Sequence, residues 1–151
     1  MKMLAGAAFA ATMLIGCAAG SAQAQTAERT YENGPVWTVG YVETKPGMFD
    51  DYMAYVAGPW RALQEAGKKR GDILDYKVLA VDSPREHESD VILLIEFKNM
   101  AVFDRALADL DKDTNAVFGS NPASNKAAVK REEIRVLHGG VTARELKLIS
   151  K

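Results

Sequence analysis

Cysteine is almost missing from this chain: there is one among 151 residues, Cys17, and it sits in the opening segment. The domain that follows therefore carries no disulfide, no thiolate metal site and no cysteine nucleophile. Histidine is nearly as scarce, with only His87 and His138. A conventional zinc site would have to recruit carboxylates, and the spacing offers none. An excess of one charge is lacking too. Nineteen Lys and Arg stand against 20 Asp and Glu, a net charge of −1. No basic run or stripe marks a nucleic-acid interface or an anionic membrane surface, so nucleic acid is not expected as a partner. The G-x-S-x-G elbow, the P-loop, GxGxxG and an ordered Ser-His-Asp set are absent. Asp109, Asp111, Asp113 and Asn115 alternate like the start of a calcium loop, but Thr114 and Ser120 stand where that loop needs Gly and Glu. No metal and no cofactor is expected.

What the chain does carry begins with an export signal. Lys2 supplies a short positive start, residues 3–15 are small and apolar, and Ala22-Gln23-Ala24 is an A-x-A cleavage site before Gln25. The apolar stretch is shorter than the roughly 20 residues of a membrane span. Residues 1–24 therefore read as a signal peptide, and the mature protein as periplasmic or secreted. The alternative reading takes Leu14-Ile15-Gly16-Cys17 as a lipoprotein box. The leader is then residues 1–16, and a lipidated Cys17 anchors the protein to a membrane. Cleavage after Ala24 leaves 18 basic against 20 acidic residues. Residues 25–34 read as a polar N-terminal arm and residues 35–151 as one domain.

Residues 35–44 are rich in β-branched and aromatic side chains on both parities. Trp37, Val39 and Tyr41 point one way, Val36 and Val42 the other, which predicts a strand covered on both faces. Lys45-Pro46-Gly47 is turn chemistry. From Met48 the period is helical: Phe49, Tyr52, Met53, Val56, Trp60, Leu63 and Gly67 fall within an arc of about 100°. The stripe keeps its phase through Gly58-Pro59. One long helix is expected, bent at Pro59, with Trp60 on the buried side and Gly71 closing it. Residues 72–82 predict a strand, 83–90 a charged loop, and 91–98 a strand buried on both faces. Asn99 caps a second helix with Phe103, Ala106, Leu107 and Leu110 on its face. Asn121-Pro122 opens a polar helix that ends near His138 at Gly139-Gly140, and residues 141–149 form the last strand.

The expected order is βαββαβ with an extra helix before the last strand. This is a ferredoxin-like α+β domain, a four-stranded antiparallel sheet with helices on one side. Two of its strands are apolar on both faces, so the face away from the helices needs a cover. A second copy, sheet facing sheet, is the economical one. The first strand running into Lys45-Pro46-Gly47, the helix opening on residues 48–56 (MFDDYMAYV), and the strand of residues 91–97 with its following helix resemble the dimeric α+β barrel superfamily. Members include cofactor-independent quinone-forming monooxygenases of the antibiotic-biosynthesis type, haem-degrading enzymes and chlorite-dismutase relatives. The resemblance implies a homodimer and leaves several chemistries open.

The candidate ligand-binding residues are Trp37, Tyr41, Tyr52, Trp60 and His138. If the Trp37–Tyr41 face of the first strand meets the helix, those two rings join Tyr52 and Trp60 around one chamber. That chamber is either packed core or a pocket whose phenols fix a small aromatic or quinone-like ligand. His138, at an expected helix end, either completes the helix dipole, ligates haem or acts as a base. Asp75, Lys77 and Glu96 read as charges paired across strands or as polar residues in a dimer cavity. Three functions follow: a small-ligand-binding protein of the cell envelope; a cofactor-independent oxygenase or isomerase acting on an aromatic substrate; or a haem-binding protein.

Overall fold

The computed structural model describes residues 29–150. The leader, its cleavage site and Cys17 lie outside the described residues. The elements are β1 (Tyr31–Thr44), α1 (Phe49–Tyr55), a π-helical segment (Val56–Trp60), α2 (Arg61–Arg70), β2 (Ile73–Ala80) and β3 (Val91–Phe97). They continue with a 3-10 turn (Met100–Asp104), α3 (Leu107–Phe118), α4 (Asn121–Arg131) and β4 (Arg135–Leu148). The four strands form one sheet in the order β2-β3-β1-β4, every pair antiparallel. That order with that chain path is the ferredoxin-like fold expected from the sequence.

Both long strands exceed their expected bounds. Tyr31–Gly34, read as part of a polar arm, belong to β1, with Tyr31 opposite Leu148. Tyr31, Glu32 and Asn33 are exposed, so backbone pairing holds them and no apolar alternation announces it. Gly34-Pro35 falls where the β1–β4 register shifts, a bulge at which the missing proline amide does not interrupt the ladder. β4 begins at Arg135, six residues before the expected start, and runs through Gly139-Gly140. Gly139, with φ of +84°, supplies the left-handed residue of a second bulge, opposite Tyr41. Gly140 is needed for a different reason: a Cβ there would lie 2.6 Å from the Val39 carbonyl oxygen.

Register separates the two faces of the sheet. Val36 and Val42 are in the core, as are Val91 and Ile73. Tyr76, Val78, Leu93 and Ile95 pack against the same core beneath the kinked helix. Residues of the opposite parity, Trp37, Val39, Tyr41, Ile92 and Leu94, form the second face, which no helix among the described residues covers. The turn at Lys45 ties the ends of the fold together. Its amide donates to the Ile134 carbonyl at 3.0 Å and its Nζ to the Glu132 carbonyl at 2.6 Å.

Candidate functional site

The helix does continue through Gly58-Pro59, and it does so as a π turn. Pro59 has no amide to give the Tyr55 carbonyl. Just beyond it the Arg61 amide reaches the Val56 carbonyl, five residues back, as well as that of Gly58. The wider turn explains why Tyr52, Val56, Trp60 and Gln64, each four residues apart, are all buried. In a plain α-helix each four-residue step overshoots a full turn by about 40°, so the stripe would drift away from the sheet. Trp60, 8% exposed, meets Tyr76 edge-on with ring centroids 5.4 Å apart.

The expected aromatic chamber does not assemble. Trp37 and Tyr41 lie on the uncovered face, with the sheet between them and Tyr52 and Trp60. Trp37 Nε1 donates to Glu145 Oε2 at 3.1 Å, and Lys77 Nζ stands 5.8 Å from its ring centre. Asp75 stands opposite Glu96 and Lys77 opposite Leu94, so the expected pairing of these charges across strands does not form, and Asp75 meets Lys68 at 3.6 Å. Tyr52 and Trp60 are brought together, but within the core. His138 is not at a helix end. It lies in β4 beside the Gly139 bulge, where its Nε2 is 2.7 Å from Glu43 Oε2. His87 Nδ1 is 3.7 Å from the other oxygen of the same carboxylate. Among the described residues, no group of three or more His, Cys, Asp or Glu is placed to hold a metal ion.

Two hollows flank the kink. On the sheet side, Trp60 overhangs Gly40 and Gly140 and leaves a shallow space of about 300 Å³ lined by no ionisable side chain. On the other flank, between the helix and the α4–β4 corner, lies a cavity of about 530 Å³. Tyr55, Pro59, Phe118, Ala127 and Ile134 give it apolar walls. Tyr55 and Pro59 are one turn apart, and Tyr55 packs against the core while it lines the cavity. Asp51, Lys130 and Glu133 are exposed at its rim, and Arg131 lines it half-buried.

Beside this cavity, two arginines and two tyrosines interleave. The Arg131 guanidinium carbon lies 4.2 Å from the Tyr55 ring centre, and that of Arg135 lies 5.7 Å from Tyr52. The two tyrosine rings are 5.9 Å apart. Arg135 Nη2 reaches Glu132 at 3.3 Å, whereas Arg131 has no ion pair among the described residues. The Nε atoms of both arginines and the Tyr52 hydroxyl are buried without a hydrogen-bond partner among the described residues. Burial pushes the Tyr52 phenol up in pKa, against the pull of neighbouring Arg135. Arg131, Pro59, Phe118 and Ile134 were not among the residues singled out as a site. The proline kink was the legible signal, because Pro59 itself lines the cavity.

No known family's sequence pattern matches the chain, and no curated protein does. Solved structures do resemble it in chain path. HapK from Hahella chejuensis is 9% identical, with a TM-score of 0.49 over 73% of this chain and 91% of that one. A dimeric ferredoxin-like protein from an uncultured marine organism is 19% identical, with a TM-score of 0.46 over 78% of this chain and 99% of its own. A dimeric protein of unknown function and ferredoxin-like fold from Bacteroides fragilis is 13% identical, with a TM-score of 0.40 over 79% and 99%.

Proposed function

We propose that this chain is an exported small-ligand-binding protein of the bacterial cell envelope, acting as a homodimer closed through the uncovered face of its sheet. The observation that carries the ligand reading is the cavity beside the kink. Its volume of about 530 Å³ lies within the roughly 300–1,000 Å³ of small-molecule sites. Walls of Tyr55, Pro59, Phe118 and Ile134 suit a small aromatic or quinone-like body. The dimer is supported by the apolar character of Val39, Tyr41, Ile92 and Leu94 on a face without helices, since large apolar patches on exported proteins are covered. Export rests on the leader of residues 1–24, with anchoring through Cys17 as the alternative.

One observation favours an enzymatic alternative. Tyr55 lines the cavity directly beneath Arg131, a position from which a phenol could hold a substrate proton in an oxygenase or isomerase. The haem reading has less support, because neither imidazole lines either hollow.

Native mass spectrometry of protein expressed with its own leader in a Gram-negative host tests the proposal. A dimer starting at Gln25 and carrying a small mass lost on denaturation supports it. A lipid-sized addition on Cys17 moves the protein to a membrane, and a Soret band replaces the reading with haem binding. Oxygen uptake with a phenolic substrate favours the enzyme. A bare monomer with an empty cavity in ligand screens overturns both halves.

A further inference from the structure

We infer that the ligand carries a carboxylate, and that Arg131 holds it. This deepens the cavity reading and rests on it. The apolar walls alone would accept any neutral aromatic body. Arg131 is what distinguishes the site: a half-buried guanidinium that lines the cavity and has neither an ion pair nor a side-chain hydrogen bond among the described residues. Its position is set by stacking on Tyr55 at 4.2 Å. A contact with the ring consumes none of the guanidinium's N–H donors, and it is those that pair with a carboxylate through two parallel hydrogen bonds. The Arg131 Nε is sealed from solvent without an acceptor, whereas its two Nη groups are not among the sealed atoms and make no side-chain hydrogen bond among the described residues, so they are the donors an arriving carboxylate meets.

The charges around it differ in exposure. Asp51 and Glu133 reach the same cavity, but both are exposed at its rim, beside Lys130. Behind Arg131, Arg135 is nearly buried, and its one carboxylate partner, Glu132, faces solvent. Arg131 and Arg135 are therefore the least exposed charges at or beside the site, and its carboxylates are the more exposed ones. A ligand with an aromatic body and one carboxylate puts each part where its complement stands.

Two probes of nearly equal shape separate charge from fit: 2-naphthoate and 2-naphthamide, titrated by fluorescence against the mature full-length protein. The carboxylate is expected to bind about 10- to 100-fold more tightly than the amide. Arg131→Gln should bring the carboxylate down to the amide's affinity and leave the amide unchanged. Ala127→Trp, which fills the cavity, should abolish binding of both. Equal affinities in the unaltered protein overturn the inference and leave the cavity reading standing, and that comparison needs no variant to fold. If neither probe binds, the cavity reading falls with it. Binding that survives Ala127→Trp places the probes elsewhere and overturns the assignment to Arg131.

Discussion

Tyr52 is fully buried, yet its hydroxyl has no hydrogen-bond partner among the described residues. Removing that oxygen leaves no partner stranded, so Tyr52→Phe should keep the fold and leave stability unchanged or raise it by about 1 kcal/mol. The same residue shapes the alkaline limit. Burial lifts its folded pKa above the ordinary value of 10.0, so the folded state favours the neutral phenol. Its contribution is complete below about pH 10 and is lost as pH rises through the folded value. Urea melts across that range should show a shallower alkaline decline in Tyr52→Phe than in the parent. Gly140 gives the opposite expectation. A methyl group there meets the Val39 carbonyl at 2.6 Å, backbone that cannot turn aside. Gly140→Ala should cost about 1–3 kcal/mol, read as a lower denaturant midpoint. Trp37 and Tyr41 show what one residue's pattern cannot reveal. Their shared parity is plain in the sequence, but β1 is apolar on both parities. Nothing local says which set meets the helices.

At the scale of the element, the kinked helix was the most legible piece of the molecule. The stripe from Tyr52 to Gly67 required a continuous helix, and the four-residue spacing of its buried side chains is the trace of the π turn. Pro59 forces that turn, and Gly58 has no steric part in it: a Cβ there would touch nothing within 4 Å, and its φ is not positive. Gly58→Ala should therefore stabilise the protein by up to about 1 kcal/mol without moving Trp60. A loss of stability, or an altered near-ultraviolet spectrum, would show that the bend depends on the glycine. The helix after β3 was less legible. It breaks at Arg105, which leaves helical geometry and reaches Asp113 at 3.1 Å, while Arg70 holds the other oxygen at 2.8 Å. A carboxylate shared between α2 and the chain before α3 is a tertiary feature that no periodicity records. Gly139-Gly140 misled for a related reason. Paired glycines stop helices, and here they shape a strand.

For the molecule as a whole, the sheet order followed from the order of elements, and the need for a cover followed from two strands apolar on both sides. The covering partner is a property of two chains and lies beyond what one sequence states. Leu94, on β3 opposite Val39 of β1, stands on the face proposed to close the dimer. Leu94→Arg should yield a folded monomer in sedimentation with the thermal melt still cooperative. A dimer that persists would mean that the copies meet elsewhere. Finding the cavity needed the whole molecule too, because its walls come from α1, the π segment, α3, α4 and the corner before β4. Neither α3 nor α4 contains a buried residue, and Leu107 is 77% exposed. The outer wall is thus the part of the fold with least to lose by opening. Its amides should exchange with deuterium well before those of β1 and β3, and a seated ligand should slow them selectively. The pocket's inner wall rests on the core, while its outer wall is moored at a few points: the Asp113 ion pairs, the Arg131–Tyr55 contact and the Lys45 pin.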